Sequence, residues 1–131
     1  MKKFIVLISM AFVALSGVAY AAQTTTVRGT QHRDVIRTGN GGETIVYGLG
    51  GNDSLHGGRG TDIMYGGRGD DRVWTGAGGA KEVAYGGPGN DRINDWWSGE
   101  SPGYLNGGRG RDVCVGDKHD TFISCEKVIW K

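Results

Sequence analysis

The chain has 131 residues, enough for one domain, and contains 26 glycines and two cysteines. Its formal net charge of +1 at pH 7 provides no electrostatic case for binding nucleic acid. The glycine content is far above the usual ~7% and follows no collagen period, so we attribute the excess to turns.

Residues 1–21 have the layout of a cleavable secretory signal peptide. Met1–Lys3 is positively charged, Phe4–Val18 is almost wholly apolar, and Ala19–Ala21 places small residues at a cleavage site. The alternative is an uncleaved membrane anchor, since the apolar run nearly reaches spanning length. We expect cleavage, and therefore a secreted, extracellular chain that has no membrane association afterwards. Residues 22–28 then form a short N-terminal lead-in.

Residues 29–124 repeat a unit of about nine residues. In the cleanest copies, 57–65 and 66–74, a six-residue glycine-rich turn ends in Asp and three extended residues follow. Extended residues alternate in direction, so the apolar middle residue of each copy points to a common core. This period indicates a solenoid, in which stacked neighbours bury what one copy cannot. The predicted core residues are Ile36, Val46, Leu55, Met64, Val73, Ala84, Ile93, Leu105, Cys114 and Ile123.

Each turn reverses the chain, so two copies form one coil and alternate turns stack on the same edge. The prediction is an all-β, flattened β-solenoid of about five two-repeat coils. One edge, here called the Asp edge, has turns ending in Asp34, Asp53, Asp71, Asp91 and Asp112. The other, here called the mixed edge, has turns ending in Thr44, Asp62, Glu82, Gly103 and Thr121. The extra residues of the repeat all fall on the mixed edge.

The stacked carboxylates of the Asp edge predict bound calcium. Neighbouring coils lie about 4.8 Å apart, and like charges that close repel without a cation. Calcium takes six to eight oxygen ligands, and glycine turns bring backbone carbonyls together. We expect ions between the pairs 34/53, 53/71, 71/91 and 91/112. A turn array without metal is the alternative; zinc is not indicated, because the histidines show no ligand spacing with cysteine.

The strands that follow the mixed-edge turns present an aromatic and aliphatic outer face. An exposed apolar patch of this extent usually marks an interaction surface, whereas a self-stabilising ladder of stacked tyrosines is the alternative. The pair Trp96–Trp97 lies in the longest loop, where it could stack on a sugar or fold back as a lid. The possible partner face consists of Ile45, Tyr47, Ile63, Tyr65, Val83, Tyr85 and Tyr104.

The two cysteines predict a disulfide. In an exported chain an even pair is typical of a disulfide, so we expect Cys114 and Cys125 to be joined. Residues 125–131 then form a C-terminal cap. We find no nucleophile motif with a Ser–His–Asp arrangement and no phosphate-binding loop that opens a helix, so we do not expect an enzyme.

The repeats resemble the RTX family of hemolysin-type calcium-binding repeats. Gly-Gly-x-Gly-x-Asp followed by x-apolar-x occurs at 57–65, 66–74, 86–94 and 107–115, with a near match at 48–56. The resemblance implies a parallel β-roll with calcium held between successive turns by carboxylates and turn carbonyls. By position these roles pass to Asp53, Asp62, Asp71, Asp91 and Asp112, and to Gly58, Gly67, Gly87 and Gly108. Cytolysis and one-step export are not carried over, because the chain has an N-terminal leader and no room for a toxin domain.

The expected function is calcium binding by a secreted β-roll that folds on binding calcium, as an extracellular structural or stress protein. One core side chain per nine residues supplies little apolar burial against the backbone entropy of a glycine-rich chain. The alternative is a calcium-dependent adhesion or glycan-binding module that uses the Tyr/Ile outer face. Its partner would be a cell-surface glycan, a protein or a second copy of the chain.

Overall fold

The computed structural model describes residues 24–39, 41–77, 81–95 and 101–131. The predicted leader and the pair Trp96–Trp97 lie outside the described residues. Within these ranges the chain forms short β-strands, and no helix there is long and apolar enough to cross a membrane. The strands are β1 (Thr25–Arg28), β2 (Val35–Arg37), β3 (Thr44–Gly50), β4 (Ser54–His56), β5 (Asp62–Arg68), β6 (Arg72–Trp74), β7 (Val83–Pro88), β8 (Arg92–Asn94), β9 (Tyr104–Arg109), β10 (Val113–Gly116), β11 (Thr121–Ile123) and β12 (Lys127–Trp130).

Alternate strands form two parallel sheets. The first sheet has the order β1-β3-β5-β7-β9-β11, and the second has the order β2-β4-β6-β8-β10-β12. The chain therefore passes from one sheet to the other at every turn, and each circuit adds one strand to both sheets. This is the predicted all-β solenoid of about five coils, extended by β1 at one end and by β12 at the other.

Glycines with positive φ lie near the ends of three strands of the first sheet, where the chain turns towards the second sheet. Gly67, Gly87 and Gly108 follow the apolar residues of β5, β7 and β9 with φ of 109°, 116° and 103°. A positive φ is strained for residues with a Cβ, so glycine allows the chain to bend out of the first sheet here. The corresponding position of β3 holds Leu49, whose φ of 81° is in the same region.

A single row of apolar side chains fills the space between the two sheets. The predicted core residues from Ile36 to Cys114 are all buried, and Val27 of β1 extends the row by one. Registers such as Val46↔Met64 and Leu55↔Val73 stack these residues coil on coil. The predicted nine-residue period is thus confirmed through Cys114.

The prediction that Ile123 is the last core residue is wrong. Ile123 is 41% exposed, whereas Phe122 pairs with Leu105 and packs against the core. Phe122 follows Cys114 by eight residues instead of nine, because the final turn is shorter than the repeat. The shorter turn shifts the alternation of β11 by one residue and directs its middle side chain inward.

The predicted disulfide closes the C-terminal end of the roll. Cys114 of β10 is bonded to Cys125, with 5.9 Å between their Cα atoms. Cys125 leads into β12, which pairs in parallel with β10. Phe122 packs against the core at this end, and the exposed ring of Trp130 packs edge-on against Phe122 with 5.3 Å between ring centroids.

Candidate metal centre

The carboxylates of the Asp edge link each coil to the one before it. The backbone N–H of each Asp donates a hydrogen bond to Oδ1 of the Asp one coil later. The donor–acceptor distance is 2.8 Å for each of the pairs 34→53, 53→71, 71→91 and 91→112. The last Asp, Asp112, donates to Oε2 of Glu126 at 2.7 Å. The predicted neighbours are therefore neighbours in the structure.

The second oxygen of these carboxylates lacks a hydrogen-bond partner. Oδ2 is buried and accepts no hydrogen bond in Asp53, Asp71, Asp91 and Asp112. Asp34 differs, because its Oδ2 accepts hydrogen bonds from the backbone N–H and hydroxyl of Thr30. A buried, unpaired carboxylate oxygen is costly unless a cation or a donor approaches it.

Backbone carbonyl oxygens converge on the same points. A Cβ added to Gly48 would lie 2.5 Å from Oδ2 of Asp53 and against the carbonyl oxygen of Gly66. At Gly86 the same Cβ would meet Oδ2 of Asp91 and, at 2.5 Å, the carbonyl oxygen of Gly107. The first glycine of each turn thus leaves open a space bordered by a carboxylate oxygen and a carbonyl oxygen of the next coil. Oxygens of these two kinds are the ligands that calcium prefers, so the residues present fit this ion.

Burial raises the pKa of these carboxyl groups. The pKa is raised to about 6 for Asp53 and Asp71 and to about 7 for Asp91, chiefly by loss of solvent. The pKa of Asp112 is also raised by burial. The charge of the adjacent Asp raises the pKa further, and the N–H donated from the preceding coil lowers it in part. An ionised Asp edge is therefore unfavourable until a cation balances the charge.

Carbonyls must supply much of any coordination shell. The described ranges contain no group of three or more His, Cys, Asp or Glu side chains arranged to hold a metal ion. With one carboxylate per coil, most of the six to eight oxygens that calcium takes would have to come from turn carbonyls. Residues 38–73, 47–80 and 76–96 match the RTX calcium-binding nonapeptide repeat, in four copies.

The chain carries RTX calcium-binding repeats. This match confirms the resemblance and, at a coarse level, calcium as the bound ion. The copy at residues 107–115 lies beyond the matched ranges but continues the same hydrogen-bonded column through Asp112. No curated protein and no solved structure matches the chain.

The turn glycines of the RTX repeats divide between two tasks. Gly67, Gly87 and Gly108, which the sequence nominated with Gly58, approach the backbone of the preceding coil. For example, a Cβ on Gly87 would clash with the carbonyl group of Gly67. The carbonyls that border the carboxylate oxygens at the first glycine of each turn come from the first glycine of the next turn on the same edge. That set is Gly48, Gly66, Gly86 and Gly107.

The mixed edge of the RTX repeats holds more buried acid than its sequence indicates. Asp62 and Glu82 are each 1% exposed. Asp95 is fully buried in a place where the repeat has glycine, and its Oδ1 accepts a hydrogen bond from Thr75. Asp120 accepts a hydrogen bond from the backbone N–H of Gly103 at 2.8 Å. Sequence analysis missed Asp95 because it lies outside the Asp position of the repeat. It missed Asp120 because the predicted register put Thr121 at that position, whereas Asp120 precedes the inward-facing Phe122 by two residues.

The outer face of the first sheet carries a stacked tyrosine ladder. Tyr65 lies between Tyr47 and Tyr85, with 5.0 Å between ring centroids on each side and interplanar angles of 6° and 2°. The guanidinium of Arg28 lies 4.8 Å from the centroid of Tyr47, and Tyr104 is tilted by 53° from Tyr85. All seven residues of the predicted partner face are half-buried. The rings largely cover one another, as the alternative of a self-stabilising ladder predicts.

Proposed function

We propose that this chain is a secreted calcium-binding RTX roll whose fold forms when calcium binds, and that it serves as an extracellular structural or stress protein. The observation that carries the proposal is the row of buried carboxylate oxygens without partners along the Asp edge. These oxygens lie beside carbonyl oxygens, so the charged edge is stable only with cations between its coils. Binding energy of this kind becomes folding energy when the unfolded chain has no site.

The thin core supports the coupling of folding to calcium. The buried apolar residues form one row, and one of them is only Ala84. Ordering the backbone costs about 1–2 kcal/mol per residue, and glycine loses the most freedom. The hydrogen bonds between coils are repeated at every strand, but their net contribution is small because the unfolded chain bonds to water.

Export suits this behaviour. Extracellular calcium modules bind their ions at about 10⁻⁴–10⁻³ M, so an exported chain would remain loose in low calcium and fold outside. The charged start, apolar run and small-residue site of residues 1–21 support export through a cleaved leader. N-terminal sequencing of exported protein should find Ala22 as the first residue.

Circular dichroism tests the coupling. The mature chain, residues 22–131, is measured with excess chelator and then with millimolar calcium. We expect a disordered spectrum that converts to a β spectrum with a cooperative melt. A quadruple variant with Asn at positions 53, 71, 91 and 112 is the matched control and should respond weakly. A β spectrum and melt that are the same with chelator and with calcium would contradict the proposal.

The second candidate is a calcium-dependent adhesion or glycan-binding module that uses the first sheet. Its support is the row of half-buried tyrosine and aliphatic side chains on the outer face of the first sheet. A sugar would have to contact ring edges and hydroxyls there, since both faces of Tyr65 are covered by neighbouring rings. A glycan array with calcium and with chelator separates the two candidates: binding only with calcium favours the module. Neither candidate includes catalysis.

A further inference from the structure

The outer face of the second sheet places two arginines side by side. Arg72 of β6 pairs in register with Arg92 of β8, and both side chains are exposed. Paired strands lie about 4.8 Å apart, and like charges directly opposite each other are destabilising. In the same row, Ser54 adjoins Arg72 and Val113 adjoins Arg92, and neither carries a charge. The arginine pair therefore does not stabilise the sheet that carries it.

This pair lines a groove of about 460 Å³ that crosses the coils along the Asp edge. The groove is also lined by Arg33 and Arg111, which come from the first and the last turns of that edge. All four arginines are exposed. The acids that line the groove are buried except Asp70, so positive charge predominates on the exposed surface of this arginine groove.

The asparagines of the arginine groove add further hydrogen-bond donors. The backbone N–H of Asp70 donates to Oδ1 of Asn52 at 3.0 Å, and the N–H of Arg111 donates to Oδ1 of Asn90 at 3.0 Å. Because a backbone N–H requires an acceptor, these bonds fix which amide atom is oxygen and leave the NH2 group on the other side. Both asparagines are exposed, so their NH2 groups are open to a ligand. The groove therefore presents guanidinium and amide donors, which suit a ligand that is rich in oxygen.

The arginines are not ion-paired with the acids next to them in sequence. Each of the four directly precedes or follows an Asp of the Asp edge, so a structural role in balancing that Asp is the obvious explanation. Among the residues that the structure describes, however, the ion pairs within 4.0 Å join Asp117 to His119 and to Lys131. The guanidinium groups of the groove thus have no carboxylate partner in the described part of the chain.

We propose that the arginine groove binds a linear acidic polysaccharide. A guanidinium binds a carboxylate through two parallel hydrogen bonds, and sugar hydroxyls accept hydrogen bonds from amide groups. A polymer with a carboxylate on each sugar ring matches donors that repeat from coil to coil. A single-stranded nucleic acid is less suited, since the described residues that line the groove include no aromatic side chain on which a base stacks.

This inference rests on the proposed function in one respect. The buried acids Asp53, Asp71 and Asp91 also line the groove, and their ionised carboxylates repel an anion until a cation balances them. We therefore expect binding only by the calcium-loaded roll. The competing explanation is that the arginines only keep the surface soluble, in which case a polyanion binds no better than a neutral sugar.

Calorimetry with a defined sugar tests the proposal. A hexamer of galacturonic acid is titrated into the mature chain in millimolar calcium, and the methyl-esterified hexamer is the uncharged control. We expect the acid to bind, with an affinity that falls as salt is added, and the ester not to bind. No binding of the acid, or equal binding of the ester, would overturn the proposal. A thymidine hexanucleotide that binds as tightly as the sugar acid would overturn the assignment to a polysaccharide.

Matched variants locate the binding site. Arg72→Gln combined with Arg92→Gln should weaken binding of the acid roughly tenfold or more, because two charge-assisted contacts are lost. The control combines Arg28→Gln in the first sheet with Arg59→Gln in a mixed-edge turn; both of these side chains are exposed, and the change in net charge is the same. It should leave the affinity unchanged, and equal weakening in the two double variants would overturn the groove as the site.

Circular dichroism in saturating calcium checks that each variant folds. Should the first double variant fail to fold, Arg33→Gln combined with Arg111→Gln replaces it, with the same expected loss and the same control. Failure of the proposed function is distinguishable, since it would leave wild type folded in chelator, whereas the groove is tested by sugar binding in calcium.

Discussion

The two edges of the roll make the same hydrogen bond with different residues. On the Asp edge, the N–H of Asp53 bonds to the carboxylate of Asp71, and on the mixed edge the N–H of Asp62 bonds to the carboxylate of Glu82. The Asp edge has an acid at every coil, whereas Thr44 and Gly103 interrupt the acids of the mixed edge. The comparison indicates that the spacing between coils, and not the identity of the acid, allows this N–H to carboxylate bond. An unbroken run of acids makes one edge a column of potential ion sites.

The largest difference between the edges should follow from adding a methyl group. Gly66→Ala places a Cβ against Oδ2 of Asp71 and 2.7 Å from the carbonyl oxygen of Gly86. Because neither Gly66 nor Gly39 has a positive φ, alanine is conformationally allowed at both. The substitution should raise the calcium concentration at the folding midpoint roughly tenfold or more by displacing ligands. The control is a glycine of a mixed-edge turn that borders no carboxylate: Gly39→Ala meets nothing within 4 Å and should leave the midpoint unchanged. Equal responses in a calcium titration followed by circular dichroism would remove the distinction.

The next difference is in pH dependence without calcium. Burial raises the pKa of Asp71 to about 6, of Asp91 to about 7 and of Glu82 to about 8. These groups ionise in the unfolded chain near pH 4, so any stability they provide is complete below pH 4 and is lost as pH rises through 6 to 8. A shift of two pKa units corresponds to about 2.7 kcal/mol per group.

Calcium-free protein, prepared over a chelating resin, should therefore gain β structure on acidification from pH 8.5 to pH 5. The Asp edge should respond between pH 5 and 7, and Glu82→Gln should remove the part of the change that lies nearest pH 8. Calcium-free protein that becomes less ordered on acidification over this range would contradict the assignment of these carboxyl groups as buried.

The disulfide has a smaller expected effect, at the C-terminal end of the roll. Cys114 and Cys125 close a loop across a sequence separation of 11, which is worth about 3 kcal/mol in the chain-entropy model. Reduction in saturating calcium should lower the free energy of unfolding in urea by about that amount. The Cys125→Ala variant has no disulfide and should not respond to reductant. A wild-type protein equally indifferent to reductant would show that the bond contributes nothing to stability.

The smallest expected effect concerns the tyrosine rings stacked on the outer face of the first sheet, whose strands follow the mixed-edge turns. Tyr65 has a ring on each face, whereas Tyr104 has one tilted neighbour. Aromatic pairs contribute about 0.5–1.5 kcal/mol beyond area burial, so Tyr65→Leu should cost about 1 kcal/mol more than Tyr104→Leu. Urea unfolding in saturating calcium measures both variants. A larger cost at Tyr104 would argue that the ladder contributes little.

The period and the alternation predicted the coil, the core through Cys114 and the identity of the stacked acids, because these depend only on spacing along the chain. The sequence was misleading at Ile123, where a short final turn changed which residue of the strand faces inward. It could not identify the carbonyl oxygens beside the carboxylates, since these depend on backbone dihedral angles and not on residue type. Gly66 and Gly67 are neighbours of the same residue type, yet only Gly67 has a positive φ.

Asp95 shows a second limit of spacing arguments. It lies outside the acid position of the repeat, and only the return of the chain one coil later brings it to the hydroxyl of Thr75. The stacking of the tyrosine rings is a similar case, because register places the residues in line but side-chain rotation decides whether faces or edges are exposed.

The strand-pairing hydrogen bonds join each coil to the next, so the folding of one coil stabilises its neighbours along the axis of the roll. Among the described residues, the strands of each sheet pair only with their immediate neighbours, so a melted coil interrupts the strand pairing. In such an array, unfolding is cooperative over a limited number of coils. That number depends on the strength of the interface between coils relative to the instability of each coil alone. A defect at Asp71 would divide the array into two shorter blocks, whereas a defect at Asp34 would only trim its first unit. The same substitution therefore has a cost that depends on its distance from the ends.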